Sequence, residues 1–205
     1  MTAPIGASRT NPRTLVPAAR AMYAAGKTRS EVLAAIYGVD LPREAPLFLR
    51  DYVKGDKALS VQWNAHPWEL MVTLDHGGPT FIIGDLACED EVRAYTQAPH
   101  VLILGWLCYA RVPHGFSLIA YDLNEVAAGR STILAMPARH REVPESGAEF
   151  SPIGPSLLDV FSTAITRYAQ SWAALNNRES HESQLGAAVQ LEGIEALRRE
   201  LAAGT

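Results

Sequence analysis

Residues 100–110 read HVLILGWLCYA, residues 116–123 read FSLIAYDL and residues 131–136 read STILAM. Pro113, His114 and Gly115 form a turn between the first two, and a short polar loop ending at Gly129 separates the last two. Three brief apolar runs, each bounded by turn residues, are the mark of neighbouring antiparallel strands. The run from Val101 to Leu107 is apolar at nearly every position, as in a strand buried on both faces at the middle of a sheet. The second run alternates: Phe116, Leu118 and Ala120 share one face, and Ser117, Ile119 and Tyr121 the other.

Outward from this core, helical signals lie on either side. Arg13 to Ala25 is rich in helix formers, with Leu15, Ala18 or Ala19, Met22 and Tyr23 as its apolar stripe. Thr28 followed by Glu31 is a capping box, predicting a helix with Val32, Leu33 and Ile36 inward and Gly38 as its stop. Pro42 suits the first position of another helix, ending at Gly55. Short strands are expected over Leu59 to Trp63, Trp68 to Leu74 and Thr80 to Ile83, with a turn at His76 to Pro79. Cys88 to Tyr95 reads as a surface helix, its acids Glu89, Asp90 and Glu91 at the end the helix dipole favours. Pro137 to Pro152 reads as a loop. Ser156 caps a strong helix carrying Leu157, Phe161, Tyr168 and Trp172, and a last amphipathic helix spans Gln184 to Ala202. Helices, then strands, then helices argue α+β, with a central antiparallel or mixed sheet of five to six strands flanked by N- and C-terminal helices. The expected division is an N-terminal extension over 1–27, an α+β domain over 28–173 and a C-terminal helical extension over 174–205.

Composition narrows the function classes. The 205 residues are 48% hydrophobic and 20% charged, enough apolar material for a core that needs no metal or disulfide staple. A net charge of −4 is too mild for a general nucleic-acid binder. No apolar run approaches the ~18–20 residues of a membrane helix, so neither nucleic acid nor membrane is expected as a partner. Cys88 and Cys108 lack metal-ligand spacing, and a reducing cytoplasm suits them. Residues 1–30 carry Arg9, Arg13, Arg20, Lys27 and Arg29 without an acid, which fits either a transit-type leader or a basic helix flanking a bacterial domain.

Candidate chemistry is sparse. Asp75 and His76 are adjacent and would point apart on a strand, and Gly77-Gly78 beside them is a turn signal. His66, His76, His100, His114 and His140, with Asp85 or Asp122, lack the spacing of a zinc site, so no metal and no cofactor is expected. Ser117, Ser131 and Cys108 lack the surroundings of an activated nucleophile, so no catalytic residue is assigned. The aromatic residues Trp63 and Trp68 flank a loop that includes His66, and Asp85, Glu89, Asp90 and Glu91 form an acidic cluster. Together these seven residues are the expected partner surface, since aromatics anchor interfaces and complementary charge speeds capture. Two rival expectations stay open: a small hydrolase or metal enzyme using the turn histidines, and a regulatory small-molecule binder with an aromatic pocket.

These elements resemble the SUKH superfamily (the Smi1/Knr4 type) over about residues 28 to 172. Leu41-Pro42 before a second helix is similar to the family's entry motif. His114-Gly115 leading into a strand that ends at Asp122 is similar to its central strand, Gly129 and the strand after it follow as in the family, and Ser156 to Trp172 resembles its closing helix. Gly55 stands alone where the family often has paired glycines. The resemblance implies a non-catalytic protein-binding module. For bacterial members it implies an immunity protein that occludes a toxin, and a basic toxin domain is the partner the acidic cluster would fit.

Overall fold

A computed structural model of the chain describes residues 12–47, 62–63, 69–80, 89–108, 116–137, 149–173 and 178–204. Helix α1 spans Pro12–Ala24 and α2 spans Arg29–Tyr37. The two-residue strand β1 (Gln62–Trp63) comes next, then 3-10 turns at Glu69–Met71 and Leu74–His76. Helix α3 (Glu89–Gln97) leads into β2 (Val101–Cys108) and β3 (Phe116–Asp122). The short α4 (Leu123–Ala127) precedes β4 (Ile133–Pro137) and β5 (Ser151–Gly154), and α5 (Leu157–Ala173) and α6 (Arg178–Ala203) close the fold.

The class is α+β, and every described strand pair is antiparallel, in the order β1-β2-β3-β4-β5. Among the described residues the sheet has five strands, with β1 contributing only two residues, so four strands carry it and the finer expectation of five to six is not shown in full. β2 lies inside the sheet, between β1 and β3, as its unbroken apolar run requires. Its alternation slips once. Ile103 faces Ala120 and Gly105 faces Ile119, which leaves Leu104 as an extra residue, a β-bulge at a glycine. The bulge returns Trp106 to the face of Ile103 and Leu107 to that of Leu104.

Each face has its own cover. Leu102, Leu104, Leu107, Ile119, Tyr121 and Ile133 share one cluster with buried side chains of α1, α2, α5 and α6. Val101, Ile103, Leu118, Ala120 and Met136 meet Ala94 and Ala98 at and just after α3. The alternation read from β3 therefore holds. Leu15, Val16, Ala19 and Tyr23 of α1, and Ala187, Ile194 and Leu197 of α6, belong to the first cluster. Both segments expected as extensions thus bury side chains in the common core.

Local chemistry sets several ends as expected. The Thr28 Oγ1 accepts from the Glu31 amide at 3.3 Å and the Thr28 amide donates to Glu31 Oε2 at 2.8 Å, completing the capping box. Bonds from Lys27 and Thr28 hold the Glu31 carboxyl down at about 2. Gly38 ends α2 in the left-handed conformation, φ 76°. Ser156 Oγ accepts from the Asp159 amide at 3.1 Å.

Four expectations give way. Trp68 to Leu74 is not a strand where described. Glu69–Met71 is a 3-10 turn in which the consecutive Leu70 and Met71 are both buried. The turn expected at His76 to Pro79 begins earlier, as a 3-10 turn over Leu74–His76 closed by Gly77 (φ 96°) and Gly78 (φ 78°), and Arg20 fastens it to α1 through the Gly77 and Pro79 carbonyls at 3.1 and 2.9 Å. The polar segment after Asp122 is the short α4, its cap made by Asp122 accepting from the Asn124 amide at 2.8 Å. The loop expected up to Pro152 contains the start of β5, whose end position in the described sheet tolerates a residue with no N–H to donate. The expected strand at Thr80 to Ile83 and the helix running to Gly55 lie largely outside the described residues.

Helix α6 carries Gly186 and Gly193 in its interior, and a Cβ added at either meets nothing within 4 Å. Gly186→Ala and Gly193→Ala are each expected to raise stability by about 0.5–1 kcal/mol, because alanine loses less backbone freedom on folding. Urea denaturation checks this: the midpoint moves up at constant slope, and an unchanged or lower midpoint refutes it. Among the described residues no helix is long and apolar enough to cross a membrane.

Candidate functional site

The expected partner surface is drawn from segments distant in sequence, and β2 relates two of them. Trp63 of β1 stands opposite Gly105, and Gln62 opposite Trp106. Helix α3 crosses the back face of the same strand, where Ala94 and Ala98 are buried with Ile103 and the Tyr95 hydroxyl accepts from the Ile103 amide at 3.4 Å. The backbone of Trp63 pairs at one edge of β2, and the middle and end of α3 pack on one face of the same strand. Glu89 and Asp90 occupy the first turn of α3. His66, Trp68 and Asp85, and the side chains of Trp63, Glu89 and Asp90, lie outside the described residues.

Glu91 departs from expectation. It is 7% exposed, so it faces the fold and is no contact for a partner. Glu91, Ala94 and Ala98 stand at i, i+3 and i+7, which is one face of a helix. The alanine spacing is the signal for that face.

Of the five histidines weighed as ligands, His76 and His100 are described. His76 Nδ1 lies 3.0 Å from Thr73 Oγ1 and 3.1 Å from Asp75 Oδ2 within one exposed turn. Hydrogen bonds, first from Thr73 and then from His76, hold the Asp75 carboxyl below its usual range. Adjacent Asp and His thus do meet, because a 3-10 turn folds them together where a strand would splay them. His100 Nε2 lies 3.7 Å from Asp122 Oδ2 at the start of β2. Among the described residues no three His, Cys, Asp or Glu side chains gather as a metal site.

The main polar feature inside the molecule escaped the sequence reading. Glu44 follows Leu41-Pro42-Arg43, where only a helix start was expected. It is 5% exposed. Its Oε1 accepts from the Tyr121 hydroxyl at 3.0 Å and from the Leu157 amide at 2.9 Å, and its Oε2 accepts from the Leu158 amide at 3.4 Å. A carboxylate from the segment after α2 thereby caps α5, and Ser156 satisfies the next amide. Burial pushes the Glu44 carboxyl above its usual range against the pull of its three donors, and nearby Asp159 adds to the rise. Burial and the adjacent Glu44 push the Tyr121 phenol well above its usual range. Asp159 goes the other way, held down by Ser156 and by Arg198 of α6 at 2.6 Å. Next to Glu44, Arg43 donates to the Gly204 carbonyl at 2.9 Å, just past the end of α6. Consecutive residues thus grip the start of α5 and the end of α6, each with the charge sign that end of a helix favours.

Compared with family models, curated proteins and solved structures, the chain matches none.

Proposed function

We propose that this chain is a non-catalytic protein-binding module that acts by covering a partner, as the SUKH resemblance implies for immunity proteins. The supporting observation is that β1, which carries Trp63, pairs with β2 and that α3, which begins at Glu89 and Asp90, packs Ala94 and Ala98 on a face of the same strand. An aromatic anchor carried on a strand costs little ordering on binding, and acidic residues favour a basic partner. With Trp68, His66 and Asp85, these residues form the contact surface. A basic toxin domain in the cytoplasm is the partner of choice, and its active site is occluded one to one.

The test is capture of partners by the tagged full chain from extract of its native cells, with a salt series. A basic protein retained at low salt, released as salt rises and lost with Glu89→Lys/Asp90→Lys supports the proposal. Recovery of no protein at any salt counts against it. Elemental analysis separates the rival: a stoichiometric transition metal lost with His76→Ala or His100→Ala indicates a metal enzyme.

A further inference from the structure

We infer that the outer face of α6 is an interface with a second copy of this chain, made by antiparallel pairing of two α6 helices about a two-fold axis at Val189. The inference does not rest on the proposed binding role. It starts from two side chains. Leu185 and Val189 are 63% and 56% exposed, the two most exposed large apolar residues among those described. Four residues apart, they are neighbours on one face of the helix. The core takes the other side, where Ala187, Ile194 and Leu197 are buried. Covering the two aliphatic side chains removes apolar surface from water.

Two glycines beside them are the second observation. Gly186 and Gly193 lie inside α6, and a Cβ added at either meets nothing within 4 Å. No close contact within the chain requires glycine at these positions, and both weaken the helix. They stand seven residues apart, about two turns, along one flank of the Leu185 and Val189 strip. A flank without side chains lets a second backbone approach closely.

The order of charges selects the second copy and sets its register. With Val189 on the axis, Leu185 stands level with the second copy's Gly193, so the large side chain meets the small one. In the same register Arg178 is level with Glu200 and Glu179 with Arg199, and no two like charges from 178 to 200 are level. Opposite charges so placed favour pairing, and like charges oppose it. Sliding one helix by a turn in either direction sets Glu182 level with Glu192 or with Glu200. The face is thus complementary to itself in one antiparallel register. A single helix pair is a small interface of the transient class.

The experiment is sedimentation equilibrium of the purified full chain at concentrations up to about 1 mM, the range of weak association. The apparent mass of the wild type is expected to rise with concentration from 22.3 kDa toward twice that value. Val189→Lys and Val189→Glu each place like charges at the axis, and each alone should lose the dimer. An equimolar mixture of the two places opposite charges there and should recover it. The exposed position predicts that both variants fold, which their urea midpoints check. Gly193→Ala supplies a variant that does not strain the monomer: its urea midpoint at low concentration should rise while its dimer fraction falls. A wild type that stays at 22.3 kDa throughout, whether or not another protein is captured by the chain, overturns the inference. So does a dimer that survives both Val189 substitutions unchanged, or a mixture that stays monomeric.

Discussion

Glu44→Ala is expected to lower the unfolding free energy by about 2–5 kcal/mol. The substitution removes the acceptor for three buried donors, the Tyr121 hydroxyl and the Leu157 and Leu158 amides. An orphaned buried hydroxyl costs roughly 1–3 kcal/mol, and loss of a helix cap adds about 0.5–2. The residue lost is only 5% exposed, so water cannot replace it without entering the core. Tyr121→Phe is the informative companion. It removes one donor and leaves the cap, for an expected cost of about 1–2 kcal/mol. The two changes meet at one oxygen, so their effects should not add, and the double variant should lie nearer to Glu44→Ala than the sum. Urea unfolding of the four proteins measures this. A loss below about 1 kcal/mol for Glu44→Ala, or full additivity, means the carboxyl is not the hub the distances describe.

That hub marks where local sequence stops being informative. The apolar run of β2, the alternation of β3, the Thr28 capping box and the Ser156 cap are all written in neighbouring residues, and each took the expected form. Glu44 bonds to an amide 113 positions away, so nothing beside it in the chain announces the partner. Glu91 was misread for a related reason. A carboxylate in the first turn of a helix ordinarily faces solvent, and the packing of Ala94 and Ala98 on β2 turns this position inward. Leu70 and Met71 failed differently: the seven residues from Trp68 to Leu74 are apolar enough for a strand, but Glu69–Met71 winds into a 3-10 turn, and a run this short does not distinguish the two. The residues of the proposed partner surface come from the sequence, and the fold adds that β1 pairs with β2 and α3 packs on its face.

Phe161→Ala is expected to cost about 3–5 kcal/mol, the largest effect of a single side-chain truncation argued for this fold. Phe161 is 1% exposed and sits one turn into α5, in a cluster that also holds Leu104, Ile119, Tyr121 and Ile133 of the sheet and Leu33 of α2. Truncation loses the transfer free energy of the ring and leaves a cavity that rigid elements on several sides cannot close. The expected cost follows from position, not residue type alone. Thr163, two residues on, is exposed, and Thr163→Ala should stay within about 0.5 kcal/mol. Phe161→Leu keeps most of the apolar volume and should cost roughly half as much as Phe161→Ala. The Glu44 cap and this ring act on the same helix: Glu44 accepts from its first amides and Phe161 lies in the next turn. If α5 is the element that joins the terminal helices to the sheet, Phe161→Ala should also raise amide exchange in α6, whose Ile194 and Leu197 lie in the same cluster. A stability loss under about 1 kcal/mol, or exchange raised in α5 while α6 stays protected, would show that α6 is held to the core without α5.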